Sequence, residues 1–364
     1  MSMSIVTTVS RSYLPFARTL MESVARLHPD SRRVVLLLDG PDDTVDGAEI
    51  ARPEHLVADP HELAIMQSIY KPIEYATAFK ALLLKSELEK SDIVFFLDPD
   101  MRLFQPMSEA IELLRNGTGT VLTPHRLTPP AYKDRHFYEF TFKTYGIINT
   151  GFVGATRASL PVLDWWHSRL KRNCIDDLRG SEWVDQRVMD LALQYFDVDV
   201  LKSHAYNVGW WNLEERPLHR EDGVWYVGDA PLVLMHYSGV RPRGARASSP
   251  QLTHSPANPI ANDAAHLAEI RLLEDTYVED LRAAGYDDYS TVEYGFLRTP
   301  GGRELSNAAR RGYRRLVLEA EEQGKIPPSP DEISWSLLAR IERRLRLMES
   351  PRSLVRDYRV LRKR

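Results

Sequence analysis

Ile93-Val94-Phe95-Phe96-Leu97-Asp98-Pro99-Asp100 is an unbroken apolar run that ends in two carboxylates separated by a proline. Five consecutive apolar residues predict a strand covered on both faces, which is the habit of parallel sheets. Proline removes a backbone donor and stiffens the link, as expected where a strand stops pairing. Residues i and i+2 of an extended segment point to the same side, so Asp98 and Asp100 can face one cation. Two hard oxygen ligands suit Mg²⁺ or Mn²⁺. In open α/β sheets ligands bind beyond the carboxyl ends of the strands, where this pair falls.

A second Asp-x-Asp triplet, Asp197-Val198-Asp199, sets the standard for judging the first. About two such triplets are expected by chance in a chain of this composition, so the letters alone mean little. In Phe196-Asp197-Val198-Asp199-Val200-Leu201 apolar and acidic residues alternate. That pattern predicts a half-buried strand with structural aspartates on its polar face. Context separates the two triplets.

Working outward, Ser4–Val9 reads as a first strand, followed by a helix from Tyr13 to Leu27 that stops at His28-Pro29. Val34–Leu38 is a second buried strand, closed by Asp39-Gly40-Pro41, and Ile73–Leu88 has helical apolar spacing. Strand, helix, strand, helix, strand is the alternation of a mainly parallel α/β sheet. Thr120–Leu122, Gly146–Thr150 and Gly151–Ala155 read as further short strands, and a helix carries Leu163-Asp164-Trp165-Trp166. Val184–Leu193 reads as helix, with Asp197–Leu201 and Leu232–Met235 as strands. Arg241 to Ile260 is rich in Pro, Ser, Ala and Arg and is expected to be a mobile loop. The pattern after Asn262 is largely helical. These readings place a catalytic domain at 1–245, a flexible linker at 246–261 and a helical C-terminal region at 262–364.

The 364 residues, 43% hydrophobic and 27% charged, are those of an ordinary soluble globular chain. A formal charge of −4 gives no electrostatic reason to expect nucleic acid. The single cysteine, Cys174, excludes an intrachain disulfide framework and a cysteine zinc site, which fits a reducing cytoplasm. No apolar run has the length of a membrane span, and Met1–Val9 lacks the basic flank of a signal peptide. Residues 340–364 hold ten basic and three acidic side chains with apolar residues at helical spacing. Surface helices are the plain reading; peripheral contact with an anionic membrane face is the alternative.

Several further stretches extend the pattern. Ile148-Asn149-Thr150-Gly151-Phe152 resembles the segment lining the donor sugar in GT-A-type sugar-nucleotide transferases. Trp183-Val184-Asp185-Gln186 resembles the Asp-Gln pair of retaining members such as glycosyltransferase family 8. His236-Tyr237-Ser238-Gly239-Val240-Arg241-Pro242 resembles that family's His-x-x-Gly-x-x-Lys-Pro segment, and Tyr206–Asn212 is similar to a motif of related bacterial transferases. Five motifs in order over the first 245 residues are far more specific than one.

The resemblance implies a GT-A, Rossmann-like fold. It implies a metal-dependent hexosyl transfer from a nucleoside-diphosphate sugar, UDP-sugar by default, with retention. Asp98, Asp100 and His236 would hold the divalent metal, and an imidazole favours Mn²⁺ over Mg²⁺. Thr8, Ser10 and Tyr13 would meet base and ribose. Gly239 would let backbone approach the diphosphate, with Arg241 or Arg243 in place of the family's lysine. Lys80 corresponds to a basic residue that touches donor phosphate or Asp100. Asn149 and His125 would touch the donor sugar, with Asp185 and Gln186 across the anomeric carbon. An inverting enzyme would need Asp185 or Glu182 as general base. Trp210, Trp211 and Asn212 are candidates for the acceptor groove, with at most one tryptophan in it because neighbours face opposite sides. The acceptor, whether glycan, lipid-linked or small molecule, and the oligomeric state stay open.

Two rivals are carried. A nucleotidyltransferase or hydrolase on the same fold would want a Gly-rich phosphate loop, which Val9-Ser10-Arg11 lacks. A non-catalytic carbohydrate- or partner-binding module would tolerate loss of the metal ligands, yet all three are present.

Overall fold

A computed structural model of the chain describes residues 2–130, 139, 142–177, 182–243, 246–248, 263–298, 304–336, 338 and 340. Its centre is a seven-stranded sheet. The strands are β1 (Met3–Val9), β2 (Arg32–Leu37), β3 (Glu49–Ala51), β4 (Ile93–Leu97), β6 (Thr120–Pro124), β7 (Ile148–Thr156) and the two-residue edge Asp199–Val200. Across the sheet the order is Asp199–Val200, β6, β7, β4, β1, β2, β3. The short strand β5 (Met101–Leu103) lies outside it. All pairings are parallel except those of β7, which runs against both β4 and β6. This is the mixed, mainly parallel α/β sheet expected from the alternation.

Burial explains why β4 reads as continuous apolar sequence. Ile93, Phe95 and Leu97 enter one core with Val35, Leu37 and Leu20. Val94 and Phe96 enter a second core with Val34, Leu36 and Leu84. Alternate residues thus serve opposite faces, and neither face can be polar. Helix α1 (Leu14–Leu27) starts with Pro15 in its first turn and buries Leu14, Leu20, Met21 and Val24. Each such side chain contributes about 1.5–3 kcal/mol by leaving water, which is what fixes an amphipathic helix to a sheet.

Several elements differ from the sequence reading. The expected helix over 73–88 is two helices, α3 (Pro72–Ala78) and α4 (Lys80–Leu88), hinged at Phe79 and preceded by α2 (Pro60–Ile69). Gly146–Ala155 is not two strands but one, β7, with an irregularity inside it. Val184–Leu193 is helical as read, but as two one-turn helices, Gln186–Met189 and Ala192–Tyr195, in place of one. Arg241–Arg243 and Arg246–Ser248 pair as a hairpin within the stretch expected to be mobile. The rest of the expected linker, and the basic segment after Arg340, lie outside the described residues. In the second triplet the strand is shorter than read, Asp199–Val200, and Asp199 is structural, for its Oδ2 accepts from Thr118 N at 2.6 Å and Thr118 Oγ1 at 2.9 Å.

The C-terminal region is helical where described, with Ala264–Ala283, Tyr286–Tyr289 and Asn307–Glu322. The first of these sets Ile270, Leu273, Tyr277 and Leu281 against Phe16, Val208, Met235 and Tyr237. The last sends Arg310 Nη1 to the carbonyls of Gln67, Ser68 and Tyr70 at 2.9, 3.2 and 2.9 Å, at the end of α2.

Candidate metal and nucleotide site

β4 ends at Leu97, and Asp98 N donates to Gly151 O at 2.7 Å. Because β7 is antiparallel, its beginning lies beside the exits of β4 and β6. Between Leu122 and Thr123 the register jumps, so that Leu122 pairs with Val153 but Thr123 with Asn149. Residues 150–152 therefore bulge away from β6 on the side of Asp98. Bulges of this kind re-aim side chains, and a strand glycine marks a close approach. A Cβ on Gly151 would lie 2.8 Å from each of Asp98 Oδ2, Asn149 Oδ1 and His236 Cε1.

His236 arrives from another direction. The strand Leu234–His236 runs antiparallel to β5, with His236 opposite Met101, and Tyr237 N donates to Asp100 O at 2.8 Å. Asp98, Asp100 and His236 thereby converge, each offering a ligand atom within 4.8 Å of the others. His236 Nε2 lies 3.2 Å from Asp100 Oδ1.

A buried amide network sets the proton on His236. Gly151 N–H, which can only donate, meets Asn149 Oδ1 at 2.9 Å. The same oxygen accepts from Asn207 Nδ2 at 3.1 Å, and Nδ2 also reaches Thr123 Oγ1 at 2.7 Å. Asn207 Oδ1 is left facing His236 Nδ1 at 3.0 Å. Nδ1 must therefore carry a hydrogen, which leaves Nε2 as the ring nitrogen that faces the carboxylates. A metal-binding imidazole needs that orientation, so the donor set fits a divalent cation. Asn207 adopts φ +53°, a left-handed conformation that asparagine tolerates better than most residues. Its role was not read from the sequence; an asparagine within Tyr206–Asn212 gave no sign of positive φ.

Lys80, the first residue of α4, is buried and sits 3.0 Å from both Asp98 and Asp185, with the Thr150 carbonyl at 3.1 Å. It touches Asp98, not Asp100. Burial opposes its charge, but the two carboxylates raise its pKa above the ordinary lysine value. The acidic pair splits. Burial raises the pKa of Asp98 despite Lys80 and His236. In Asp100 burial acts the same way, but His236 and then Arg241 more than offset it and the value falls.

These groups line a single cavity of about 700 Å³, within the range of small-molecule sites. Thr8, Ser10 and Tyr13 lie at the exit of β1, with Ser238, Gly239 and Arg241 beside them. Arg241 Nη2 donates to the Tyr13 hydroxyl at 2.6 Å. That contact places Arg241 in the wall; the side chain of Arg243 lies outside the described residues. Gly239 has φ +82°, which suits a glycine there.

On the other side of Lys80 come Asp185 and Gln186. Val184 just before them has φ +41°, a costly conformation for a β-branched residue and a further mark of a constrained site. His125 follows β6; its Nε2 accepts from Asn149 Nδ2 at 3.2 Å, and burial pushes its pKa down to about 3. It is a neutral ring. Trp210 and Trp211 both border the cavity, against the expectation of one, and Trp211 stands edge-on to His236 at 5.0 Å. Asn212 is absent from the wall. Its amide is spent on Gly209 N and on the carbonyls of His125 and Asn207, so it braces the turn.

No protein-family model matches the chain. It is 30% identical over 175 residues to the uncharacterized protein YfnD of Bacillus subtilis (strain 168), a stretch taking in 46% of this chain and 53% of that protein. The chain thus spans about half the length of the curated relative it matches. Among solved structures it is similar to a glycosyltransferase involved in the glycosylation of the major capsid of PBCV-1, with a TM-score of 0.39 and 13% identity over 77% of this chain and 99% of that one. It is also similar to the apo form of mouse xyloside xylosyltransferase 1, with a TM-score of 0.39 and 13% identity over 65% and 97%. Similarity of that size says nothing of chemistry, which has to come from the site itself. No helix among the described residues is long and apolar enough to cross a membrane.

Proposed function

We propose that this chain is a metal-dependent glycosyltransferase of the GT-A kind, moving a hexose from a nucleoside-diphosphate sugar to an acceptor hydroxyl. The observation that supports it best is the convergence of Asp98, Asp100 and Nε2 of His236 in the wall of one cavity. A divalent cation held there, Mn²⁺ in preference to Mg²⁺ on account of the imidazole, would neutralise charge on the departing diphosphate. Arg241 and the glycine backbone at 239 would hold the phosphates, and Arg241 is already braced by Tyr13. Thr8, Ser10 and Tyr13 would receive the nucleoside, UDP being the default. One N–H of Asn149 has no partner among the described residues and would be open to a sugar hydroxyl, while neutral His125 fixes the other.

Retention is favoured by what Asp185 lacks. A general base for direct displacement must be free to take a proton, but Asp185 is buried and ion-paired to Lys80. Glu182, the other candidate base, is absent from the cavity wall among the described residues. With no ready base, the leaving phosphate becomes the group that deprotonates the acceptor on the same face.

The test is a hydrolysis and transfer screen over UDP- and GDP-sugars with and without Mn²⁺. Turnover that needs the metal, and vanishes in Asp98→Ala, is expected. If no nucleotide sugar is consumed and Asp98→Ala leaves nucleotide binding unchanged, the reading fails.

A further inference from the structure

A second cavity, of about 380 Å³, shares no lining residue with the first, and nothing in the proposed reaction uses it. Three arginines from three elements line it: Arg26 near the end of α1, Arg102 in β5 and Arg220 in the strand Leu218–Glu221. Two buried donors there are unsatisfied. Tyr237 is 1% exposed and its hydroxyl has no hydrogen-bond partner among the described residues; Arg102 Nε is in the same condition. Buried donors are rarely left without a partner in a folded protein, so they point to a missing acceptor.

Charge in the cavity is positive on balance. Asp280 pairs with Arg102 through Nη1, and Glu274 lies close enough to act on Tyr237. Arg26 and Arg220 make no ion pair among the described residues. The lining itself holds these three guanidiniums and no carboxylate among the described residues. The floor is aromatic: Phe104 lies under the Arg102 guanidinium at 5.8 Å, and Trp225 under Arg220 at 5.9 Å. Guanidinium forks match the oxygens of phosphate, and indole faces pack on sugar rings.

We infer that this cavity binds a phosphate group, its oxygens accepting from Arg102 Nε and the Tyr237 hydroxyl, with Arg220 and Arg26 closing over it. The volume left beside one phosphate, and Trp225 at its edge, suit a phosphorylated sugar in preference to free phosphate. This binding needs no metal and is independent of the transferase reading.

Isothermal titration with glucose 6-phosphate, inorganic phosphate and glucose tests it. One molecule of glucose 6-phosphate per chain is expected to bind, with saturating UDP and Mn²⁺ present and equally in Asp98→Asn. Arg220→Ala, at an exposed position, and Tyr237→Phe, which keeps the ring stacked on Tyr277 at 3.8 Å, should each weaken binding by about ten-fold. Glucose should not bind, and inorganic phosphate should bind more weakly than the sugar phosphate. Absence of binding, displacement by UDP, loss in Asp98→Asn or indifference to both cavity variants would each overturn the assignment. Equal affinity for inorganic phosphate would overturn its sugar half.

Discussion

Gly151 sits where a methyl group has no room, between the Asp98 carboxylate, the Asn149 amide that orients the network and the His236 ring. None of the three is the loose end of a flexible chain, so Gly151→Ala has to displace Asp98 or His236 from the trio. We expect Mn²⁺ affinity to drop at least ten-fold, with a stability cost of about 1–3 kcal/mol, the usual range for overpacking. Mn²⁺ titration beside a urea melt measures both; unchanged affinity would show that the trio is not the cation site. Asn207 offers a gentler probe. Asn207→Gly keeps the left-handed backbone but removes the acceptor for His236 Nδ1, and metal affinity should fall about 10–100-fold, as for other partners of metal-binding histidines. If affinity holds, the amide network does not set the tautomer.

At the scale of elements, legibility followed length and burial. β1, β2, β4 and α1 were readable because each buries a long apolar pattern with turn residues at its ends. The run of β4 put Asp98 and Asp100 at a strand exit, where a parallel sheet collects its ligands. His236 lies in a separate strand beside β5 and was read from the resemblance of residues 236–242 and the short apolar stretch before it. β5 was not readable: Met101-Arg102-Leu103 is three residues long and its pairing with Leu234–His236 is non-local. The bulge in β7 was half visible, as Gly151 between two apolar runs suggested a break but not one continuous strand. The hinge at Phe79 was hidden because α3 and α4 share helical spacing, yet it starts α4 at Lys80 and so places that side chain in the site. Lys80→Met would strand buried Asp185 without a countercharge, at a cost of about 3–5 kcal/mol. The double variant Lys80→Met/Asp185→Asn should recover a large part of the loss. Denaturant midpoints of the two singles and the double decide it, and simple additivity would mean that the pair is not coupled.

On the scale of the whole molecule, charged clamps join the C-terminal helices to the sheet-bearing part. Arg172, on the helix Leu160–Asn173, holds Glu62 of α2 at 2.7 Å and Glu321 of the helix Asn307–Glu322 at 2.7 Å. Burial alone would raise the pKa of Glu62, but the bonds and charge of Arg172 outweigh it and the carboxyl falls below its ordinary value of about 4.5. The folded chain therefore binds this proton less readily than the unfolded chain does. Its contribution is complete above pH 4.5 and is lost as pH falls through the folded value, so the clamp weakens on the acid side only. Glu62→Gln removes that dependence. At pH 7 the variant should be about 1.5–3 kcal/mol less stable, the worth of a charged hydrogen bond, and the gap should narrow steadily below pH 4.5. Urea midpoints of both proteins at pH 7, 5, 4 and 3 measure the gap. A difference that stays constant across that series would mean the carboxylate's charge does not hold the clamp, and that Arg172 grips through Glu321 alone.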